Sequence, residues 1–174
     1  MRVTIETERL ILRPVVPDDY EAAFKWCGDP KVNKYLLYPL YHKAEDVRTY
    51  FESRDLDDPD NYDLGFVIKE TGELIGMGGL VCKEDSDDVW TIGYNIRADQ
   101  WGYGYAVEAM EGIIKEILKT RKIKAIEGEF AEENNNSRRV MEKLGMHYIK
   151  DSEYEKMDKS AKFKSKIYRK DFDD

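Results

Sequence analysis

The residues able to do chemistry fall in two short stretches. The first is Trp101-Gly-Tyr-Gly-Tyr-Ala106, which follows the β-branched and aromatic run Val-Trp-Thr-Ile-Gly-Tyr-Asn-Ile-Arg at positions 89–97. A strand that breaks at glycines and reopens as a helix leaves backbone N–H groups without acceptors. The helix dipole adds roughly half a positive charge at the same point. Such a turn holds an anion, usually a phosphate. Gly102 and Gly104 carry no Cβ, so the backbone there can come close to a ligand. The second stretch is Asn134-Asn-Asn-Ser137, followed by Arg138 and Lys143 and stopped at Gly145. Asn134 reads either as a helix cap or as an amide facing a ligand. Arg138 and Lys143 read either as solvated helix-face charges or as phosphate contacts. Between the two stretches, Glu127 and Glu129 share one face of a strand. There a carboxylate can act as a base, or simply face solvent. No Gly-Lys-Ser/Thr follows the glycines, which disfavours a Walker-type nucleotide site.

These stretches need a scaffold. Residues 4–13 read as an opening strand, ended by Pro14 and Pro17. Residues 18–27 read as a helix, with Asp18 and Asp19 in its first turn and Tyr20, Ala23, Phe24 and Cys27 at helical spacing. Residues 29–41, with Tyr35, Tyr38 and Tyr41, have room for a short helix but no clear period. A second helix over 43–54 turns Val47, Tyr50 and Phe51 inward and leads to an acidic loop at 55–61. Residues 64–70 and 73–83 form a hairpin through Thr71-Gly72. Gly76, Gly78 and Gly79 mark a bulge or close packing within it. A turn at 84–88 leads to the strand 89–97. Past the glycines, Ala106, Met110, Ile113, Ile114 and Ile117 line one helical face. A strand at 123–130, a helix at 133–145 and strands at 146–150 and about 164–172 complete the chain. The order β-α-α-β-β-β-α-β-α-β-β makes one α+β domain over 1–174. It predicts a mixed, mostly antiparallel twisted sheet of about seven strands flanked by about four helices.

Bulk composition narrows the classes. The 174 residues carry a net charge of −8, which lacks the basic footprint of nucleic-acid binding. No apolar run approaches the ~20 residues that cross a bilayer, and acidic residues stand where a signal peptide would be apolar. A cytoplasmic protein is expected. Cys27 and Cys82 are far apart, and His42 and His147 are isolated, so no metal site is expected. The acidic runs at 55–63 and 84–88 and the basic run at 156–170 read as solvated loops.

Taken together, Trp101-Gly-Tyr-Gly-Tyr-Ala106 after Ile-Gly-Tyr-Asn-Ile96, and Asn134-Asn-Asn-Ser137 with Glu142-Lys-Leu-Gly145, resemble the Gcn5-related N-acetyltransferases (GNAT). The first looks like that family's coenzyme A signature. The second is similar to the Asn-x-x-Ser…Glu-Lys-Leu-Gly element after the next strand. The opening Glu6-Thr-Glu-Arg-Leu-Ile-Leu-Arg13 is similar to the branch that acetylates N-termini of ribosomal proteins. The resemblance implies a splayed central strand pair and acetyl-CoA as co-substrate. On that reading Ile96 and Arg97 offer backbone groups to the pantetheine arm, and the N–H groups of Tyr103, Gly104, Tyr105 and Ala106 take the pyrophosphate. Trp101 packs, Asn134 and Ser137 bond the coenzyme from the opposite side, and Arg138 or Lys143 reaches the adenosine phosphates.

Acetyl transfer to an amine needs a base, an oxyanion donor and an acid for the thiolate. A backbone N–H in 94–96 suits the oxyanion, Glu127 or Glu129 the base, and Tyr94 a positioning role. Many family members place a tyrosine acid where this chain has Met141. A thioether donates no proton, so another tyrosine or solvent must serve. The resemblance implies an acceptor that is a peptide or small-molecule primary amine, in a cleft walled by residues 33–41 and the region near Tyr154. The acidic surface suits a cation. A monomer or homodimer is expected. The alternative is a non-catalytic acyl-CoA-binding or sensing domain on the same fold.

Overall fold

The computed structural model describes residues 1–86 and 88–172; Asp87, within the expected 84–88 turn, and the last two residues lie outside the described residues. Two short strands, β1 (Ile5–Glu6) and β2 (Leu10–Arg13), open the chain. A 3-10 turn at Pro17–Asp19 leads to α1 (Tyr20–Cys27), α2 (Pro30–Asn33) and α3 (Ala44–Glu52). Then come β3 (Asn61–Ile68), β4 (Leu74–Cys82), β5 (Val89–Ile96), α4 (Tyr105–Thr120), β6 (Ala125–Ala131), α5 (Asn135–Lys143), β7 (His147–Glu155) and β8 (Lys162–Asp171).

The described residues thus hold eight strands and five helices, one more of each than the sequence pattern predicts. The extra strand arises because the opening run folds on itself. Thr7 N–H donates to Leu10 O (2.9 Å), and Leu10 N–H donates back to Thr7 Oγ1 (3.1 Å). A hydroxyl that competes for the backbone in this way closes a turn inside an otherwise β-forming run. The extra helix, α2, starts at Asp29, whose carboxylate accepts from Lys31 N–H (2.9 Å), with Pro30 at its first position.

The sheet runs in the order β1-β2-β3-β4-β5-β6-β8-β7. Neighbours are antiparallel except β5 and β6, which are parallel and pair only from Val89↔Ala125 to Thr91↔Glu127. Beyond Thr91 the two strands part. Met141 of α5 stands at the fork, its Cε 2.6 Å from where a Cβ on Gly128 would lie, beside Ile92. Its thioether fills the angle between the strands.

Two cores hold the sheet. On one face α4 and α5 bury Met110, Ile113, Ile117 and Met141 against Leu10, Leu64, Trp90, Ile126 and Phe130. On the other, α1 and α3 bury Trp26, Val47 and Phe51 against Val67 and Met77. Gly79 of β4 would place a Cβ 1.5 Å from Tyr62 O, so it marks a close strand approach, and the register shift lies nearby at Phe66/Val67. No helix of the described residues is long and apolar enough to cross a membrane.

Candidate active site

The site begins where β5 ends. A 3-10 turn at Ala98–Gln100 is followed by Gly102 (φ +85°) and Gly104 (φ +81°), and Gly104 caps α4. This left-handed region is costly for residues with a Cβ. No side chain caps α4, and no described residue accepts from the backbone N–H groups of 102–107. Those amides stand with the positive end of a 16-residue helix, so the turn has the geometry of an anion cradle.

A buttress from the N-terminal hairpin holds the cradle. Arg9 donates to Tyr103 O (2.9 Å), pairs with Glu108 (2.7 Å) and lies over the Tyr105 ring (4.4 Å). Glu108 also accepts from Thr7 Oγ1 (2.6 Å) and Arg9 N–H (2.8 Å). Burial pushes its carboxyl up, but those bonds and the Arg9 charge outweigh it, so it titrates below the usual range. Sequence reasoning missed this contact, although Thr7 and Arg9 sit in the opening motif that carries the resemblance.

A cavity of about 650 Å³ opens beside the cradle, between the end of β5, the start of α4, α5 and the segment around α2. Of the expected coenzyme contacts, Ile96, Trp101, Gly102, Gly104, Tyr105, Ala106, Asn134, Ser137 and Lys143 line it. Trp101 donates from Nε1 to Ile96 O (2.8 Å), so its indole ties the turn to the strand. Asn134 caps α5: its Oδ1 accepts from Ser137 N–H (3.2 Å) and its Nδ2 donates to Ser137 Oγ (3.1 Å). Asn134 is therefore a helix cap, and it also lines the cavity.

The side chains of Tyr103, Arg97 and Arg138 lie outside the cavity; for Tyr103 and Arg97 the expected contact is through the backbone, for Arg138 through the side chain. Tyr103 is 60% exposed and packs on Tyr105, leaving only its backbone at the cradle. Arg97 pairs with Asp99 (2.6 Å) and Glu73 (3.1 Å), and its N–H donates to Ile75 O. Arg138 donates to Glu132 O (3.4 Å) outside the cavity, and Arg139 lines it instead. The signal was available, since Asn136, Arg139, Val140 and Lys143 share one helical face. With Lys31 and Lys34, Arg139 and Lys143 give the cavity a cationic rim on a protein of net charge −8.

The open edge of β5 also differs from the expectation. Val89 O accepts from Lys83 and Arg97 N–H donates to Ile75, so odd-numbered residues use their peptide groups toward β4. Even-numbered ones then face the splay. Ile96 O is taken by Trp101, and Arg97 is engaged with β4. That leaves both peptide groups of Tyr94 and the N–H of Ile96 at the gap. The Tyr94 hydroxyl is fully buried and makes no hydrogen bond of normal geometry, though it lies beside Ser137. Burial pushes it up to about 12, with Ser137 pulling partly the other way. It is therefore a protonated, unpartnered donor at the cavity wall.

Glu127 and Glu129 do point to one face, but neither lines the cavity. Glu127 is held by Lys83 (3.0 Å) and Arg169 (3.0 Å); these outweigh burial and keep its carboxyl low. A carboxylate fixed between two cations beside the closed end of the fork is placed to hold strands together rather than to take protons. Glu129 is exposed, accepts from Ser165 Oγ (2.9 Å), and has no ion-pair partner among the described residues.

The far wall comes from α2 and the residues after it, including Tyr35 and Leu36. The β7–β8 hairpin fixes its path. Lys156, 8% exposed, donates to Asn33 O (2.7 Å), Asn33 Oδ1 (3.1 Å) and Leu36 O (2.8 Å). Tyr154 Oη donates to Tyr35 O (2.6 Å), and Met157 N–H donates to Leu37 O (2.9 Å). No cluster of three metal-ligating side chains occurs among the described residues.

Known proteins share this fold. The N-acetyltransferase p20 of Bacillus licheniformis, itself uncharacterised, is 28% identical over 144 residues, covering 81% of this chain and 80% of p20. A GNAT-family acetyltransferase from Bacillus anthracis superposes with a TM-score of 0.82 at 24% identity, covering 97% of this chain and 98% of that one. The microcin C7 self-immunity acetyltransferase MccE, solved with acetyl-CoA and AMP, superposes with a TM-score of 0.80 at 17% identity, over 95% and 93% of the two chains. Identities this low show a common fold. The family described as the acetyltransferase (GNAT) domain matches residues 9–147. That span runs from Arg9 of the buttress to His147, just past α5, and takes in both halves of the cavity wall, so the chain belongs to the GNAT acetyltransferase family.

Proposed function

We propose that this acetyltransferase uses acetyl-CoA to acetylate a primary amine, of a protein N-terminus or a small molecule, by direct attack in a ternary complex. The observation that carries this is the run of backbone amides at 102–107 without acceptors, opening on a cavity with a cationic rim. Bound acetyl-CoA supplies the activated acetyl thioester. Its polyanionic end suits the cradle and the Lys31, Lys34, Arg139 and Lys143 rim, and its amide-bearing arm suits the open peptide groups of Tyr94 and Ile96. Asn134 and Ser137 close the opposite side.

The transfer forms an N–C bond, breaks a C–S bond and moves two protons. Glu129, the carboxylate without a cation, takes the proton from the acceptor ammonium, directly or through water. The Ile96 N–H suits the developing oxyanion. Tyr94, held protonated by burial, gives its proton to the departing thiolate. The second proton of the attacking nitrogen, released as the tetrahedral adduct collapses to the amide, returns through water to restore Tyr94. The chain works as a single domain over 1–174.

A thiol-release assay with acetyl-CoA and a panel of peptides, polyamines, aminoglycosides and amino acids tests this reading. Release with at least one amine supports it. Tight coenzyme binding by calorimetry, with no thiol from any amine, would favour the acyl-CoA sensor that Met141 keeps in view.

A further inference from the structure

We propose that the acceptor is a primary ammonium joined by a short arm to an aromatic ring, bound on the sheet face beyond α1 and α3, with its charge at Glu129 and its ring against Phe163 and Tyr154 beside the Tyr35 wall. This rests on the reading of the chain as an acetyl-CoA-dependent N-acetyltransferase.

The core under α1 and α3 reaches no residue of β5, β6, β7 or β8. The face beyond it stays open: Gly93 has nothing within 4 Å of where a Cβ would stand, and Glu129 is exposed. Directly paired residues point to the same side of a sheet. The pairs Glu129↔Ile167, Ala131↔Ser165 and Tyr154↔Phe163 therefore set Glu129, Ser165, Phe163 and Tyr154 in one strip on that face.

Charge marks one end of the strip. Two carboxylates share this face of β6, and the contrast between them is informative. Glu127 has Lys83 and Arg169; Glu129 has no cation among the described residues, only the hydroxyl of Ser165. Ser165 is 2% exposed, so its bond to Glu129 Oε2 fixes the carboxylate from beneath. The second oxygen is left to meet an ammonium, a charge-assisted bond of about twice the usual strength.

Aromatic surface marks the other end. Phe163 stacks at a tilt on Tyr154 (5.3 Å) and edge-on to Tyr35 (5.6 Å). Lys34 already covers the Tyr35 ring (5.1 Å), which leaves Phe163 and Tyr154 to receive a ring. Burial, Glu129, Tyr35 and Glu133 together push the Tyr154 hydroxyl up to about 12, consistent with the carboxylates standing close to this wall. Two residues along a strand span about 7 Å, so Ser165 and Phe163 are separated by the reach of a two- or three-atom arm. Asn95, on the same face, and Tyr35 also line the coenzyme cavity. The strip therefore meets the donor site at the fork.

The test compares 2-phenylethylamine, butylamine and spermidine in thiol release at saturating acetyl-CoA. A kcat/KM about tenfold or more higher for 2-phenylethylamine is expected. Equal values, or a preference for spermidine, overturn the inference while leaving the acetyl-CoA reading intact. Glu129→Gln should raise the KM of the amine about tenfold and, because Glu129 is also the proposed base, lower kcat on the order of 10²-fold. Phe163→Leu should erase the preference over butylamine. Both should keep the acetyl-CoA Kd of the parent, which also shows that they fold. Unchanged selectivity in Phe163→Leu counts against the site. Calorimetric titration of 2-phenylethylamine into the coenzyme A complex gives a readout without turnover. Binding lost in Glu129→Gln supports the site even if no thiol appears, and absence of binding to the parent overturns it.

Discussion

Tyr94 shows how much one hydroxyl can be asked to do. It is buried at the cavity wall, with no hydrogen bond of normal geometry, in a chain that has Met141 where the family resemblance leads one to expect a tyrosine acid. Removing a positioned proton donor costs on the order of 10²-fold in rate. Tyr94→Phe should therefore lower kcat by about that factor while the acetyl-CoA Kd stays near the parent value. An unchanged kcat would assign thiolate protonation to solvent. The same burial predicts a pH effect. The hydroxyl titrates near 10 when unfolded and at about 12 in the fold. The folded state thus favours the neutral form. That stability is complete below pH 10 and is lost as pH rises through 12, by about 1–3 kcal/mol. Alkaline denaturation should be shallower over that window in Tyr94→Phe, and an identical slope would contradict the burial.

At the scale of elements, the cradle depends on a turn and on the hairpin behind it. Gly104→Val puts a β-branched residue at φ +81°, which costs on the order of 1–3 kcal/mol and blocks the approach to the amides. Acetyl-CoA affinity should fall at least tenfold by calorimetry, and retained affinity would move the anion elsewhere. Arg9→Ala leaves the cavity lining intact but removes the hold on Tyr103 O and Glu108. It should weaken coenzyme binding several-fold through the turn's position alone. These elements also show where the sequence was legible. The glycine turn, the strand before it and the helix after it follow from local chemistry, and so does the capped start of α5. The Arg9–Glu108 contact joins residues 99 apart in the chain, and no local period reports such a pair. Glu127 and Glu129 were legible as sharing a face. The difference between them was not, because Lys83 and Arg169 arrive from β4's end and from β8.

Across the whole molecule the sheet divides at the fork. One part, β1 to β5 with α4, carries the cradle; the other, β6 to β8, carries the Glu129 strip and the hairpin that grips the far wall. A net charge of −8 should draw cationic acceptors toward the protein, and on the proposed reading the local cationic rim attracts the coenzyme's phosphates. Both attractions are screened by salt. The kcat/KM for an amine acceptor should fall as ionic strength rises, and a flat profile would argue for a neutral acceptor. Lys156→Met removes the hydrogen bonds to Asn33 and Leu36 in a buried setting. It should cost about 1–3 kcal/mol, a fall in Tm of roughly 3–10 °C, seen by thermal denaturation; an unchanged Tm would mean the wall stands without it. The hairpin holds residues 33–37 chiefly through backbone carbonyls, and every residue type has one. The side chains of that segment are thus free to vary while its path is kept. New acceptor selectivities can accumulate there one substitution at a time, each inheriting an intact donor half.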